Sequence, residues 1–342
     1  MTDERILLVS DDFGRQVSIT APASARLETL GRVVHLPDTA GEQAVLDALR
    51  DSTALVVAGW ATRLPRLTAA RLAELPRLTF VGCGQDNRWR FLDPAEAVER
   101  GITLVDSSGS MGWTVAEFGL GLILSCLRRI PAHHAAVAAG GWYDGWTDDD
   151  GIDRDLRGSR VGIVGMGEIG RALVAMLRPF GCRVDVWSSY LDDARAADLG
   201  VRVRPVRELA GAADVLVVAT QPRRDTAGIV DRAAVAALRP GTVVILLGRA
   251  STVDFEALVE RVVAGDVTLG IDVWDTEPAE AGHPLRGLPN VVHTPHVAGR
   301  LRAANQRMFS EIVDDLERLR SGSTPRWAVS PERARHVTAT RR

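Results

Sequence analysis

Short apolar runs alternate along the chain with stretches of helical periodicity, the pattern of a parallel sheet covered by helices on both faces. Residues 6–9, 33–36, 54–58, 78–81 and 103–105 predict strands, with helices over 41–50, 68–75 and 94–100 between them, so an α/β unit closes near residue 105. A long apolar helix is expected over 115–129, followed by a loop rich in Trp and Asp over 140–155. A second series of strands runs through 160–164, 183–187, 215–219, 243–247, 268–272 and 291–294, and 301–319 reads as an amphipathic helix. Residues 331–342 are rich in Arg and poor in apolar side chains, and are expected to be a disordered tail. The expectation is an α/β protein of two doubly wound domains with parallel sheets. One is discontinuous, from 1–105 and 299–330, and the other runs from 106 to 298.

Composition narrows the function classes. A chain of 342 residues, 46% hydrophobic and 25% charged, can bury the cores of two ordinary domains. A net charge of −3 leaves no basic surplus for gripping nucleic acid. Cys83, Cys126 and Cys182 stand apart from one another and from the scattered His residues. Neither a disulfide framework nor a metal site is therefore expected, and a reducing cytoplasm fits. The opening residues Met1-Thr2-Asp3-Glu4-Arg5 are too acidic, and the apolar run after them too short, for a signal peptide. The longest apolar stretch, 118–127, falls short of a membrane span, so no membrane role is expected. All 41 basic residues are Arg, which excludes Schiff-base chemistry and a phosphate-binding lysine. Cationic roles fall to guanidinium groups, which pair with carboxylates through two parallel hydrogen bonds.

Gly165-Met166-Gly167-Glu168-Ile169-Gly170 follows a predicted strand and opens a predicted helix. In such a motif the first Gly makes a tight turn, the second lets a pyrophosphate approach the backbone, and the third lets helix and strand pack closely. The helix then offers its unpaired N–H groups and positive dipole end to the phosphates. The spacing predicts a Rossmann-like dinucleotide site built from Gly165, Gly167, Glu168 and Ile169, with Ser188 at the ribose. An acidic residue is expected at the end of the 183–187 strand to bond the ribose 2′-hydroxyl of NAD, and Ser188-Ser189 stands there instead. Serines can donate to a 2′-phosphate, but no Arg follows them directly, and Asp192 or Asp193 could curl back. NAD and NADP both stay open.

Three further segments carry a family resemblance: Gly248-Arg249-Ala250-Ser251-Thr252-Val253-Asp254, Gly270-Ile271-Asp272-Val273-Trp274-Asp275-Thr276-Glu277-Pro278, and Leu288-Pro289-Asn290-Val291-Val292-His293-Thr294-Pro295-His296. With Val115-Ala116-Glu117, Cys83-Gly84-Gln85-Asp86-Asn87 and Leu156-Arg157-Gly158, they resemble the D-isomer-specific 2-hydroxyacid dehydrogenases over about residues 50–325. The resemblance implies hydride transfer between NAD(P)H and C2 of a small 2-oxo or 2-hydroxy acid. It assigns Arg249 to holding the substrate carboxylate and polarising its carbonyl, a task suited to an always-charged fork of donors. It assigns His296 to acid/base work and Glu277 to its other ring nitrogen, where a carboxylate stabilises the imidazolium. It further implies that Asp272 lies near the nicotinamide carboxamide. Trp60, Thr62 and the Cys83-Gly84-Gln85 loop would face the nicotinamide across a cleft whose closure excludes water, with backbone N–H groups of that loop holding the substrate carboxylate. A homodimer built through the cofactor domains is implied as well. Taken singly, Arg249, Glu277 and His296 also have ordinary readings as a strand-end ion pair, a helix-start carboxylate and a loop histidine.

The chain departs from the family pattern in places. Leu246 and Ala250 replace the usual Asn and Gly around Arg249, and Ser107-Ser108-Gly109-Ser110-Met111-Gly112-Trp113 lacks the usual Pro and Asn. A stretch about four residues longer than usual carries Arg88-Trp89-Arg90, whose arginines either read a second anionic group on the substrate or lie on the solvated surface. Other chemistries on the same scaffold are formate oxidation, where the resemblance implies Gln in place of Glu277, and phosphite oxidation, which would use a similar residue set. A non-enzymatic, dinucleotide-sensing protein resembling the dehydrogenase-like corepressors is the alternative outside catalysis.

Overall fold

Among the described residues, most strands have apolar side chains in runs rather than in alternation, as expected of parallel sheets buried on both faces. The computed structural model describes residues 4–85, 89–142, 153–223 and 225–341. The chain divides into two compact units, one from the residues up to Met111 together with those from Arg300 onward, the other Gly112–Gly299.

In the first unit, β1 (Arg5–Ser10), β2 (Arg32–Pro37), β3 (Ala54–Ala58), β4 (Phe80–Cys83) and β5 (Thr103–Asp106) form a parallel sheet in the order β2-β1-β3-β4-β5. One face packs Leu7, Val9, Leu49, Leu55 and Val81 against Trp89 and Leu104. The other packs Ile6, Leu8 and Phe80 against Phe309, Ile312 and Leu316 of the helix Arg302–Arg320. That helix is bound to the helix Ala21–Thr29, because Arg26 donates to Asp314 (2.5 Å) and to Glu317 (Nε to Oε1, 3.1 Å). Its buried Asp315 accepts from the backbone N–H groups of Arg326 (2.6 Å) and Trp327 (2.7 Å), which turns the following segment back along β5.

In the second unit, β6 (Arg160–Val164), β7 (Arg183–Trp187), β8 (Arg202–Val203), β9 (Val215–Val218), β10 (Thr242–Leu246), β11 (Val267–Ile271) and β12 (Val291–His293) form a parallel sheet in the order β12-β11-β10-β9-β6-β7-β8. The registers pair Trp187 with Val164, Val164 with Val218, Val218 with Leu246, Leu246 with Ile271, and Ile271 with His293. The carboxyl ends of six strands therefore share one row. In open α/β sheets that edge is where ligands bind. Two apolar layers cover the sheet, one on each face.

Both parallel sheets predicted from the apolar pattern are present, with differences of detail. The strand expected over 78–81 is β4, shifted to Phe80–Cys83. The helix Ala21–Thr29 went unpredicted although Thr20 caps it, accepting from Ala23 N–H, and Pro22 sits in its first turn. The helix Ile130–Ala138 has no buried residue, hence no apolar stripe to betray it. Most of the expected 140–155 loop, 143–152, lies outside the described residues. The apolar stretch judged short at 118–127 is part of a continuous helical run, Ser107–Leu127, which by length and composition could cross a membrane. Its Ala116, Leu122, Ile123, Cys126 and Leu127 are instead buried in the second unit's core. The expected tail is a helix, Pro331–Arg341. Ala334 is fully buried, Arg333 donates to the buried Asp106 (2.9 Å), and Thr338 donates to Asp93 (2.7 Å), bonds to distant residues that local composition does not reveal.

Replacing Asp315 strands two buried N–H donors. Asp315→Ala is expected to lower the melting temperature by about 4–10 °C at unchanged secondary structure. Thermal melting followed by circular dichroism checks this, and a shift under about 1 °C would remove Asp315 from the account.

Candidate active site

The turn after β6 is shaped by close approach. Gly165 has φ +108°, and its N–H donates to the Trp187 carbonyl (2.9 Å), tying the loop to the end of β7. A Cβ at Gly165 would stand 2.7 Å from Thr220 Oγ1, and one at Gly170 would stand 2.2 Å from the Gly165 carbonyl oxygen. Both distances exclude a side chain, so helix Glu168–Leu177 starts directly against the loop. A Cβ at Gly167 would meet nothing within 4 Å, so the chain's own packing does not require glycine there. Asp192, Asp231 and Asp254 cap helices of this unit with their side chains, whereas no side chain caps the helix at Gly167. A helix start whose N-cap residue offers no side chain fits an anionic pyrophosphate. Glu168 is exposed in the first turn, and Ile169 is half-buried against the core layer.

Beyond β10, Arg249 leaves the strand in extended conformation and opens the short 3-10 turn Ala250–Thr252. Its guanidinium donates to the Gly248 carbonyl (2.8 Å). Ala250, where the family pattern has Gly, is buried in an apolar layer and fits there.

Beyond β11 and β12, two loops meet. His296 Nδ1 lies 2.6 Å from Glu277 Oε2. Glu277 Oε1 accepts the Trp274 N–H (3.0 Å), and the Trp274 indole N–H donates to the Thr294 carbonyl (3.0 Å). Burial pushes the Glu277 carboxyl up, but hydrogen bonds from His296 and Trp274 N–H, with the charges of His296 and Arg249, outweigh it and hold the pKa below the ordinary value. Glu277 is thus an anion across the neutral range, Nδ1 carries the proton it donates, and Nε2 is left for other chemistry. Because the folded pKa is depressed, the stability from this contact is present above the ordinary carboxyl pKa. It is lost as pH falls through the folded value. The effect of Arg249 on Glu277 brings the cation into the same site.

Asp272 holds this arrangement together. Only 1% exposed, it accepts from Thr294 Oγ1 (2.6 Å) and from the N–H groups of Val297 (2.9 Å) and Ala298 (3.0 Å). The segment it grips carries His296 at φ +54°, a left-handed conformation costly for a residue with a Cβ.

Residues 120–298 match the model of the D-isomer specific 2-hydroxyacid dehydrogenase NAD binding domain. The chain belongs to this family. The D-3-phosphoglycerate dehydrogenase of Mycobacterium tuberculosis is 31% identical over 276 residues, 80% of this chain and 50% of that protein. The chain thus spans about half the length of the phosphoglycerate dehydrogenases it matches. The glyoxylate reductase of Korarchaeum cryptofilum is 26% identical over 295 residues, 85% of this chain and 86% of that protein. Among solved structures, a phosphoglycerate oxidoreductase from Rhizobium etli aligns with a TM-score of 0.82 at 26% identity, over 95% of this chain and 98% of its own. The dinucleotide of this family's domain is NAD or NADP.

The other residues that the family resemblance singled out lie in the first unit. Trp60 is exposed, its N–H donated to Asp11 Oδ2 (2.8 Å). Cys83 and Gly84 are buried, and Gln85 donates to Asn305 (3.0 Å). Trp89 is core, 3% exposed, and Arg90 is exposed, while Arg88 lies outside the described residues. Asp192, a candidate for the ribose, instead caps its own helix by accepting from Arg195 N–H (2.8 Å). The anchoring contacts of Asp272 and Trp274 were missed. Their signal was a carboxylate at the end of a buried strand, where an unpaired charge is untenable.

The second and third glycines of the motif differ in a testable way. Gly170→Ala should lower the melting temperature by several degrees, whereas Gly167→Ala should leave it within about 2 °C and weaken dinucleotide binding at least about tenfold. Equal melting shifts in calorimetry would contradict the packing argument.

Proposed function

We propose that the chain transfers a hydride between NAD(P)H and C2 of a 2-oxo or 2-hydroxy acid, with the second unit holding the dinucleotide. The observation that carries this reading is the 2.6 Å His296–Glu277 pair, with the Arg249 charge acting on it, at the strand row that also carries the glycine loop. The bound dihydronicotinamide supplies the hydride to C2. Arg249 pairs with the substrate carboxylate and draws charge onto the carbonyl oxygen. His296 gives that oxygen its Nε2 proton during reduction and takes it back during oxidation. Glu277 orients the ring and stabilises the imidazolium. Ionised Glu277 is what makes His296 a proton donor rather than a bystander.

The relatives' names include a glyoxylate reductase and D-3-phosphoglycerate dehydrogenases, acids with one and with two anionic groups. We assign the second anion to the exposed Arg90, with Arg88 beside it in sequence, and we expect a homodimer built through the second unit.

A panel of 2-oxo acids with NADH and NADPH tests the reading. His296→Ala and Arg249→Ala are each expected to lower kcat/KM by about 10²- to 10⁴-fold while dinucleotide binding persists. Wild-type rates in either variant, or tight dinucleotide binding with no turnover on any acid, would overturn it. Arg90→Ala should cut kcat/KM for dianionic acids at least about tenfold more than for monoanionic ones, and equal losses would return Arg90 to the solvated surface. Glu277→Gln should lower kcat at least about tenfold while dinucleotide binding persists, and wild-type turnover in that variant would deny Glu277 its role.

A further inference from the structure

The strand order β9-β6-β7 places the ends of β9 and β7 on either side of the glycine loop. At the end of β7 stand half-buried Ser188 and exposed Ser189. A carboxylate at that place would bond a ribose 2′-hydroxyl and repel a 2′-phosphate, and serine removes the repulsion.

The cation absent from the sequence after β7 comes from across the sheet. Arg223, in the turn that follows β9, reaches past the end of β6 and brings Nη2 to 3.4 Å from Ser189 Oγ. Its turn is well fixed. Arg223 N–H donates to Thr226 Oγ1 (2.8 Å), and that fully buried hydroxyl donates to the Gln221 carbonyl (2.7 Å). Asp225 Oδ1 lies 3.5 Å from Nε. The buried Nε itself makes no hydrogen bond among the described residues. The guanidinium is therefore held in place with donor capacity unspent.

Partial burial raises the pKa of the Tyr190 phenol, and Arg171, a Ser188 hydrogen bond and Arg223 act against that rise, with Glu168 on the raising side. The positive charges of Arg171 and Arg223 thus both act on Tyr190. The nearby carboxylates are Glu168 and Asp225, the second already engaged with Arg223. Asp192 is spent as a helix cap.

We propose that Arg223, Ser188 and Ser189 form a receptor for the 2′-phosphate of NADP, so that the chain prefers NADP(H) over NAD(H). The phosphate would accept from the guanidinium in charge-assisted hydrogen bonds and from both hydroxyls. This rests on the dinucleotide reading of the glycine loop and is independent of the hydride chemistry.

The test is equilibrium binding by calorimetry, with no turnover required. NADPH, NADH, 2′,5′-ADP and 5′-AMP are titrated into wild type, Arg223→Ala and Ser188→Asp. Wild type should bind NADPH over NADH, and 2′,5′-ADP over 5′-AMP, by at least about tenfold. Arg223→Ala should lose about tenfold or more for the two phosphorylated ligands and stay within about twofold for the others, which also shows that it folds. Ser188→Asp should reverse the order. Equal or tighter binding of NADH by wild type would overturn the proposal, as would equal losses for all four ligands in Arg223→Ala, the signature of a guanidinium stacked on adenine. If none of the four binds wild type, the nucleotide reading of the glycine loop falls too.

Discussion

The register of one parallel sheet is the constraint on which the rest of the second unit depends. Hydrogen bonding between strands brings Trp187, Val164, Val218, Leu246, Ile271 and His293 into one row. The residue that leaves each strand is delivered to the same edge: Ser188, Gly165, Thr220, Arg249, Asp272 and His296 all follow within three residues of the row. A slip of one residue in any strand would turn its side chains to the opposite face and break the site. The runs β9 and β10, buried at every position, make such a slip costly because each side chain is already packed.

On that row two kinds of local constraint do different work. The glycine loop is made by the absence of side chains, since contacts of 2.2 and 2.7 Å leave no room for a Cβ at Gly170 or Gly165. The His296 loop is made by a buried charge. Asp272 compensates the loss of its hydration by accepting three hydrogen bonds from Thr294, Val297 and Ala298, and so secures a left-handed residue between them. Glu277 completes the arrangement from a third segment.

What could be read from sequence follows this division. The strands and the glycine motif were legible because their signals are local: buried runs, and three glycines at fixed spacing between strand and helix. The Arg249, Glu277 and His296 set was legible through resemblance, as an ordered group of motifs. Contacts made over long separations were not. Asp272 grips a loop 22 to 26 residues onward, Arg223 meets Ser189 across an intervening strand, and Arg333 finds Asp106 from the other end of the chain. The helix Pro331–Arg341 looked like a tail because those contacts, more than its composition, hold it. Ile130–Ala138 escaped because no face of it is buried.

The central claim is that a hydride passes directly to C2 while His296 supplies the proton to the oxygen. Single-turnover reduction of a 2-oxo acid, with dinucleotide deuterated in turn on each face of the dihydronicotinamide C4, tests it directly. The account predicts deuterium at C2 of the 2-hydroxy acid from one of the two faces, and none when the reaction is run in heavy water with unlabelled dinucleotide. Label entering C2 from solvent, or product formed with no label from either face, would contradict it.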